Sequence, residues 1–348
     1  MTSERAVPDV ASVCLGAARA GAIETTCLSA ESDDAVERAV ACLRGGGLIG
    51  LPTETVYGLA GDATNGEAVA RIFEAKGRPR FNPLICHVSD LDMAARLAVL
   101  DDIARALAAR FWPGPLTLVL PQAEGTPVHP LTTGGLATIA MRQPKGIAGN
   151  IIARLGRPLA APSANPSGRV SATSAGQVMR GLGGRIEMIL DAGPSELGLE
   201  STIVKPERDR LVLLRAGLVG RDALHEATGL AVVAPDAGSG IEAPGQLRSH
   251  YAPHGTVRLD VNHVEAGEYL IDFGETPIAG ADGAAEIVNL SPSGDLREAA
   301  ANLFAALARF DRPEIARIAV APIPQEGLGE AINDRLRRAA APRDCRRE

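Results

Sequence analysis

The chain has 348 residues, of which 46% are hydrophobic and 22% charged, the balance of a soluble globular protein with enough length for two cores. Its 35 Lys and Arg stand against 42 Asp and Glu, a formal net charge of −7. That charge argues against a protein that coats nucleic acid, so no strong direct nucleic-acid binding is expected and only a local basic patch stays open. No apolar run approaches membrane-spanning length, and Met1 to Val10 is too polar for a secretory signal, so a cytoplasmic location without a membrane partner is expected. Cys14, Cys27, Cys42, Cys86 and Cys345 are scattered and form no Cys-x-x-Cys pair. This predicts reduced thiols and no metal site, with all but Cys345 serving as packing residues.

Residues 1–22 show no strong period and read as an N-terminal extension. From Ile23 the pattern tightens into a first domain, 23–233. Ser32 and Asp33 offer N-cap oxygens to a helix with Ala35, Val36, Ala39, Val40 and Leu43 on its apolar face, ended by Gly45 to Gly47. A strand at Leu48–Leu51 follows, then a helix from Glu67 to Lys76 that buries Val69, Ile72 and Phe73. A strand over Leu84–Val88 precedes a helix through Ile103, Leu107 and Phe111, which stops at Trp112-Pro113-Gly114-Pro115. Short strands at Leu116–Leu120, Ala137–Met141, Pro158–Ala161, Met188–Asp191, Thr202–Val204 and Leu211–Leu214 alternate with turns and two helices, giving a mixed α/β sheet. The Pro/Gly-rich stretch 234–255 has no period and exceeds an ordinary loop, which marks it as a linker or lid. Residues 256–348 then predict four strands, over 257–261, 269–273, 286–290 and 315–321. A helix between the last two has Leu296, Ala299, Ala300, Leu303, Phe304, Leu307 and Phe310 on one face. This is the alternation of a small Rossmann-like domain, without the Gly-x-Gly-x-x-Gly that would support a dinucleotide site. The Arg-rich tail from Arg335 to Arg347 reads as a solvated helix end.

Chemistry-bearing residues gather at predicted strand ends, where open α/β sheets bind ligands. Between Gly50 and His87 lie the hydroxyl-rich loop Pro52–Gly58, the basic loop Lys76-Gly77-Arg78-Pro79-Arg80 and His87 itself. Three cations beside several hydroxyls predict an anion, although helices also end in Lys-Gly for capping reasons alone. Thr138 and Arg142 are four apart on one strand and therefore share a face. Ser163 to Ser171 is dense in Ser, Asn and Gly, suited to wrapping a phosphate or a ribose as well as to an ordinary surface turn. Ser201 and Arg215 sit at further strand edges. There is no Walker loop, no Gly-x-Ser-x-Gly elbow and no Ser, His and Asp set in a recognisable order, and Pro253 breaks any helix that would align His250 with His254 on a metal. What remains is a site that binds and orients anions.

Several of these runs together resemble the YrdC-like family of L-threonylcarbamoyladenylate synthases in its long form, with an additional C-terminal domain. They are Pro52-Thr53-Glu54-Thr55-Val56-Tyr57-Gly58-Leu59, Lys76-Gly77-Arg78-Pro79 with Asn82-Pro83-Leu84, Trp112 to Thr117, Ala161-Pro162-Ser163-Ala164-Asn165, Glu200-Ser201-Thr202-Ile203 and His250-Tyr251-Ala252-Pro253. The resemblance implies a YrdC-like mixed twisted sheet with helices, and a nucleotidyltransferase that joins L-threonine, bicarbonate and ATP into threonylcarbamoyl-AMP and pyrophosphate. Mg²⁺ would enter with ATP, and the product would pass to the transferase machinery that modifies adenosine 37 of tRNA. It implies that Thr55, His87, Arg142, Ala161 and Ser201 line a threonine pocket, with Arg142 on the carboxylate. Arg78, Asn82, Thr138, Ser163, Ser171, Arg215 and Tyr251 would hold ATP, and Lys76 would lie beside the phosphates and share the catalytic role with Arg78. In the lid, Gln246, Leu247 and Ser249 stand where many relatives carry a Met, a basic residue and an aromatic, and Arg248 offers a charge. A non-catalytic RNA-binding module on the same domain is disfavoured by the acidic charge. Carbamoyl transfer in hydrogenase maturation would bring zinc-finger and acylphosphatase-like segments, which this sequence lacks.

Overall fold

The computed structural model describes residues 23–342 apart from 237, 239 and 248. The N-terminal extension, Cys14, Arg248 and the tail that holds Cys345 therefore lie outside the described residues. The larger unit begins with β1 (Thr26–Ser29), α1 (Ala35–Arg44), β2 (Ile49–Leu51), β3 (Gly58–Asp62) and α2 (Gly66–Lys76). It continues through β4 (Ile85–His87), α3 (Leu91–Leu97), α4 (Asp102–Phe111), β5 (Leu116–Pro121), α5 (Pro130–Thr133), β6 (Thr138–Arg142), α6 (Ile147–Leu155) and β7 (Leu159–Ala160). Then come α7 (Ala175–Leu182), β8 (Met188–Asp191), β9 (Thr202–Pro206), β10 (Arg210–Arg215), α8 (Arg221–Thr228) and β11 (Ala231–Val233). Eleven strands form one mixed sheet in the order β1-β8-β2-β3-β7-β4-β6-β5-β9-β10-β11.

Local chemistry accounts for most element ends. Asn65 accepts hydrogen bonds from the amides of Glu67 and Ala68 at the start of α2, and Gly77 ends that helix in the left-handed conformation (φ 59°). The start of α1 departs from the capping expected of Ser32 and Asp33. Asp34 precedes the helix with no side-chain cap, because the Ala35 amide donates to the Ser32 carbonyl and a main-chain turn does the work. Cys42 is half-buried and Cys86 buried, whereas Cys27 is exposed and not a packing residue. Strands β1, β3 and β11 were not expected from the sequence. For β3 the reason is plain: Gly-Leu-Ala-Gly-Asp is poor in strand formers, and tertiary packing overrides propensity. A Cβ at Gly61 would come within 2.9 Å of Leu48 Cδ2 and 3.2 Å of Ile72 Cδ1, so a larger residue there would have to displace two core side chains.

The smaller unit is a parallel sheet in the order β12-β15-β13-β14, formed by β12 (Thr256–Arg258), β13 (Tyr269–Asp272), β14 (Glu286–Asn289) and β15 (Arg317–Val320). Two helices pack with it, α9 (Leu296–Arg309) and α10 (Leu328–Ala340). The predicted face of α9 is buried at Ala299, Ala300, Leu303, Phe304 and Leu307. That face shares a core with Val56, Val170 and Leu199 of the larger unit and with Tyr251 of the connecting stretch. Each fully buried Leu or Phe here contributes on the order of 2 kcal/mol.

The two units meet closely at Gly198. Its φ is 63°, and a Cβ built there would fall 2.1 Å from the Ala301 carbonyl oxygen on α9. Only glycine fits such an approach, because the obstructing atom is helix backbone and cannot turn aside. Gly198→Ala should therefore lower unfolding stability by about 1–3 kcal/mol, the range for overpacking. Urea unfolding measures the loss, and faster proteolysis within 234–255 should accompany it.

Candidate active site

Strand pairing brings the site together. β4 and β6 run parallel with His87 opposite Arg142, so both side chains reach the same sheet edge from adjacent strand ends. The loop between β2 and β3 lies over that edge, held by hydrogen bonds from the Leu197 amide to the Glu54 carbonyl and from the Tyr57 amide to the Ala172 carbonyl. Within it the Thr53 hydroxyl donates to the Val56 carbonyl at 2.6 Å and lies 2.9 Å from Thr55 Oγ1. Arg142 reaches in from β6. Its Nη1 donates to Thr55 Oγ1 at 2.7 Å and its Nε to the Gly114 carbonyl at 3.1 Å. Arg142 Nη2 and Glu54 Oε1 are only 2.7 Å apart but are not aligned as a hydrogen bond, so the ion pair leaves that limb of the guanidinium without a directed partner.

Three further cations are buried around the same cavity wall, and each is tethered by main-chain carbonyls. Arg78 donates to the carbonyls of Asn82 (3.2 Å) and Pro83 (2.9 Å). Arg215, at the end of β10, donates to the Ser201 carbonyl (3.0 Å) and hydroxyl (3.1 Å), and that hydroxyl lies 2.7 Å from Thr117 Oγ1. The Lys76 ammonium donates to the carbonyls of Ser163 and Asn165. Burial is the largest influence on all three: it holds the Lys76 ammonium well below the usual lysine range, pushes Arg78 down to about 10 and lowers Arg215. Carbonyl dipoles hold these cations in place without cancelling their charge, which leaves a positive site for an anion.

Two neutral histidines complete the lining. His87 is 3% exposed and has no hydrogen-bond partner on either ring nitrogen; burial, and then the Arg142 charge, holds it well below the usual histidine range. His250 lacks a partner on Nδ1 and is depressed by burial and then by Arg78, Lys76, Arg215 and Arg335. Both rings stay neutral at pH 7 with polar atoms free for a ligand.

Nine of the residues expected at a site share this cavity: Thr55, His87, Arg142, Ala161, Ser201, Arg78, Ser163, Arg215 and Tyr251. The open space among them is about 40 Å³, room for roughly three waters. Four expected residues do not line it. Lys76 lies behind the loop whose carbonyls it holds, and Ser171 is bound to Glu200 at 2.6 Å. Asn82 is buried with its side-chain amide unpartnered, next to Arg78. Thr138 opens β6, about 13 Å along the strand from Arg142. Sharing a face does not mean sharing an end. Thr53, Glu54, Thr117, Glu200 and His250 are lining or supporting residues that had no role assigned from sequence. Each sat inside a recognised run, so adjacency was the available signal. The connecting stretch contributes Pro244, Gly245, His250 and Tyr251 to the cavity. Gln246 Oε1 accepts from the amides of Glu242 and Ala243, and the Leu247 carbonyl accepts from Arg338, so both positions make contacts of their own. Among the described residues, no group of three or more His, Cys, Asp and Glu could hold a metal ion.

A mixed sheet whose strand ends gather hydroxyls, the Arg142 guanidinium and the carbonyl-tethered Arg78 and Arg215 around one cavity is an α/β arrangement chemically suited to an anion. Residues 41–217 match the Sua5_yciO_yrdC family model, described as telomere recombination, and residues 219–341 match that of the threonylcarbamoyl-AMP synthase C-terminal domain. Among curated proteins, the threonylcarbamoyl-AMP synthase of Pyrococcus abyssi is 40% identical over 318 residues, 86% of this chain and 92% of its own length. That of Bacillus subtilis is 36% identical over 331 residues, 90% and 95%. A crystal structure of the P. abyssi Sua5 protein complexed with L-threonine superposes with a TM-score of 0.81 at 36% identity, covering 91% of this chain and 97% of that one. The chain belongs to the threonylcarbamoyl-AMP synthase family, in the form that carries the Sua5 C-terminal domain.

The neutral histidines make stability depend on pH. With folded-state values below the ordinary 6.5, the unfolded chain takes up protons below that pH that the folded chain does not, so stability is lost as pH falls. Each histidine steepens the loss by up to about 1.4 kcal/mol per pH unit. His250→Gln should flatten the slope between about pH 6.5 and 5 by close to one proton, measured by urea unfolding across that range.

Proposed function

We propose that this protein is an L-threonylcarbamoyladenylate synthase, a nucleotidyltransferase that condenses L-threonine, bicarbonate and ATP into threonylcarbamoyl-AMP and pyrophosphate. The product would serve the cytoplasmic modification of adenosine 37 in tRNA, through a separate transferase. The observation that carries the reading is the set of buried cations, Lys76, Arg78 and Arg215, held by carbonyls around one cavity next to the Arg142 fork.

The chemistry demands such a set. Carbamoylation of the threonine ammonium group by bicarbonate releases water and a proton and leaves a species with two negative groups. Its carbamate oxygen must then attack the α-phosphorus of a polyanion, so repulsion dominates the barrier unless fixed cations offset it. Arg142 suits the threonine carboxylate, because its Nη2 limb is undirected and Nη1 already orients the Thr55 hydroxyl. His87, neutral and unpartnered, can meet the amine or hydroxyl of threonine beside Ser201. Arg78 and Arg215, which line the same cavity, would meet the phosphates. Lys76 adds its charge from behind and shapes the Ser163 to Asn165 loop. Mg²⁺ arrives on the ATP phosphates as part of that substrate. The stretch carrying Tyr251 covers the cavity and keeps water from a labile acyl adenylate, so it must open for substrates to enter the narrow space.

Purified protein supplied with Mg²⁺, ATP, bicarbonate and L-threonine should release pyrophosphate and give a threonylcarbamoyl-AMP mass peak; release that ignores threonine or bicarbonate would sink the reading. Arg142→Lys keeps a charge beside Glu54 but loses the fork, so the threonine KM should rise about thirtyfold or more while the ATP KM changes little.

A further inference from the structure

Arg335 is the largest fully buried side chain of the described residues, with no exposed surface, and it comes from α10 of the smaller unit. It is not the solvated helix end that the sequence suggests. Its Nε donates to Glu200 Oε2 at 3.0 Å and its Nη1 to Asp334 Oδ2 at 2.7 Å, while the guanidinium carbon lies 5.5 Å from the centre of the Tyr251 ring. Nη2 has no partner. The other Glu200 oxygen accepts the Ser171 hydroxyl at 2.6 Å. Tyr251 has a left-handed φ of 62°, which costs a non-glycine residue energy, and its ring is held between Arg335 and Phe304 of α9, 5.2 Å away. Helix α10 grips the connecting stretch twice more, since Arg338 donates to the Leu247 carbonyl and its own carbonyl accepts from the His250 amide. Glu200 and Tyr251 line the cavity, whereas Arg335 does not.

From this arrangement we infer that Arg335 is a positioning residue through which the C-terminal domain sets the nucleotide side of the site. One guanidinium fixes two elements at once. Through Glu200 it places Ser171, and through its stacking it holds Tyr251 inward over the cavity. Arg142, Thr55 and His87 make no hydrogen bond to Arg335 or Glu200, so the part of the threonine side that these three residues form is held separately. A buried charge removed from one side leaves Glu200 uncompensated, and the disturbance falls on the elements that Glu200 and Tyr251 touch. The inference rests on the proposed reading that this cavity takes ATP and threonine.

The test measures binding of a non-hydrolysable ATP analogue with Mg²⁺, and separately of L-threonine, by calorimetry on the full chain with wild type, Arg335→Met and Arg335→Lys. If the wild type binds neither ligand, the functional reading fails. If it binds both, Arg335→Met should weaken the analogue about thirtyfold, the scale for truncating one partner of a buried charge pair, with threonine affinity held within about twofold. Arg335→Lys, which keeps the charge and loses the fork, should recover part of the nucleotide affinity. Equal loss of both ligands, or unchanged analogue binding, overturns the inference. Should Arg335→Met fail to fold, Arg335→Lys decides alone: a severalfold selective loss of analogue supports it, and wild-type binding of both ligands overturns it.

Discussion

The site depends on cations held by main-chain carbonyls. A buried ammonium or guanidinium is costly unless hydrogen-bonded, and the simplest partner would be a carboxylate. Lys76, Arg78 and Arg215 instead donate to the carbonyls of Ser163, Asn165, Asn82, Pro83 and Ser201. Carboxylates would have stabilised the same side chains and neutralised the field. Dipoles stabilise them and leave the charge available, which is the preorganisation that the proposed anionic substrates need. Burial acts on the same groups in the opposite sense, lowering the proton affinity of Lys76, Arg78 and Arg215. A bound polyanion would relieve that tension.

That arrangement requires loops from distant parts of the chain to be rigid together. Parallel pairing of β4 with β6 sets His87 beside Arg142, and the antiparallel bridge between Gly58 and Ser163 joins the hydroxyl loop to the segment that Lys76 holds. The smaller unit closes the assembly from outside. Its helix α9 meets Gly198 at backbone contact, and its helix α10 supplies Arg335 to the wall behind Glu200 and Tyr251. Two carboxylates do lie next to the site cations, and each is tied: Glu54 faces Arg142, and Glu200 is shared by Ser171 and Arg335. The positive field is thus trimmed at two points and kept elsewhere.

Legibility from sequence followed the range of the physics. The helix faces of α1, α2 and α9 were readable because periodicity is local and burial followed it at Ala39, Leu43, Ile72 and Leu303. Strand β3 was not, since its two glycines matter only for what packs against them. Strand ends marked Arg142, Ser201 and Arg215 as candidates, but their clustering with Thr55 and His87 in one pocket was anticipated from the family resemblance. Thr138 shows the limit of that logic: period places a residue on a face but gives no distance from the cavity. Arg335 shows a deeper one. In an Arg-rich helix end nothing local separates a buried guanidinium from solvated ones, and the distinction depends on Glu200, 135 residues away.

By itself the sequence determined the class of fold and set cations and hydroxyls beside apolar strands, because apolar period, turn residues and strings of cations and hydroxyls are written in neighbouring positions. Tertiary structure alone decided which cations face the cavity and which stand behind it, what holds each of them, and that the second unit supports the wall of the site from behind. Those features rest on hydrogen bonds and ion pairs between residues far apart in the chain. Their geometry exists only once the sheets, the connecting stretch and α10 have packed together.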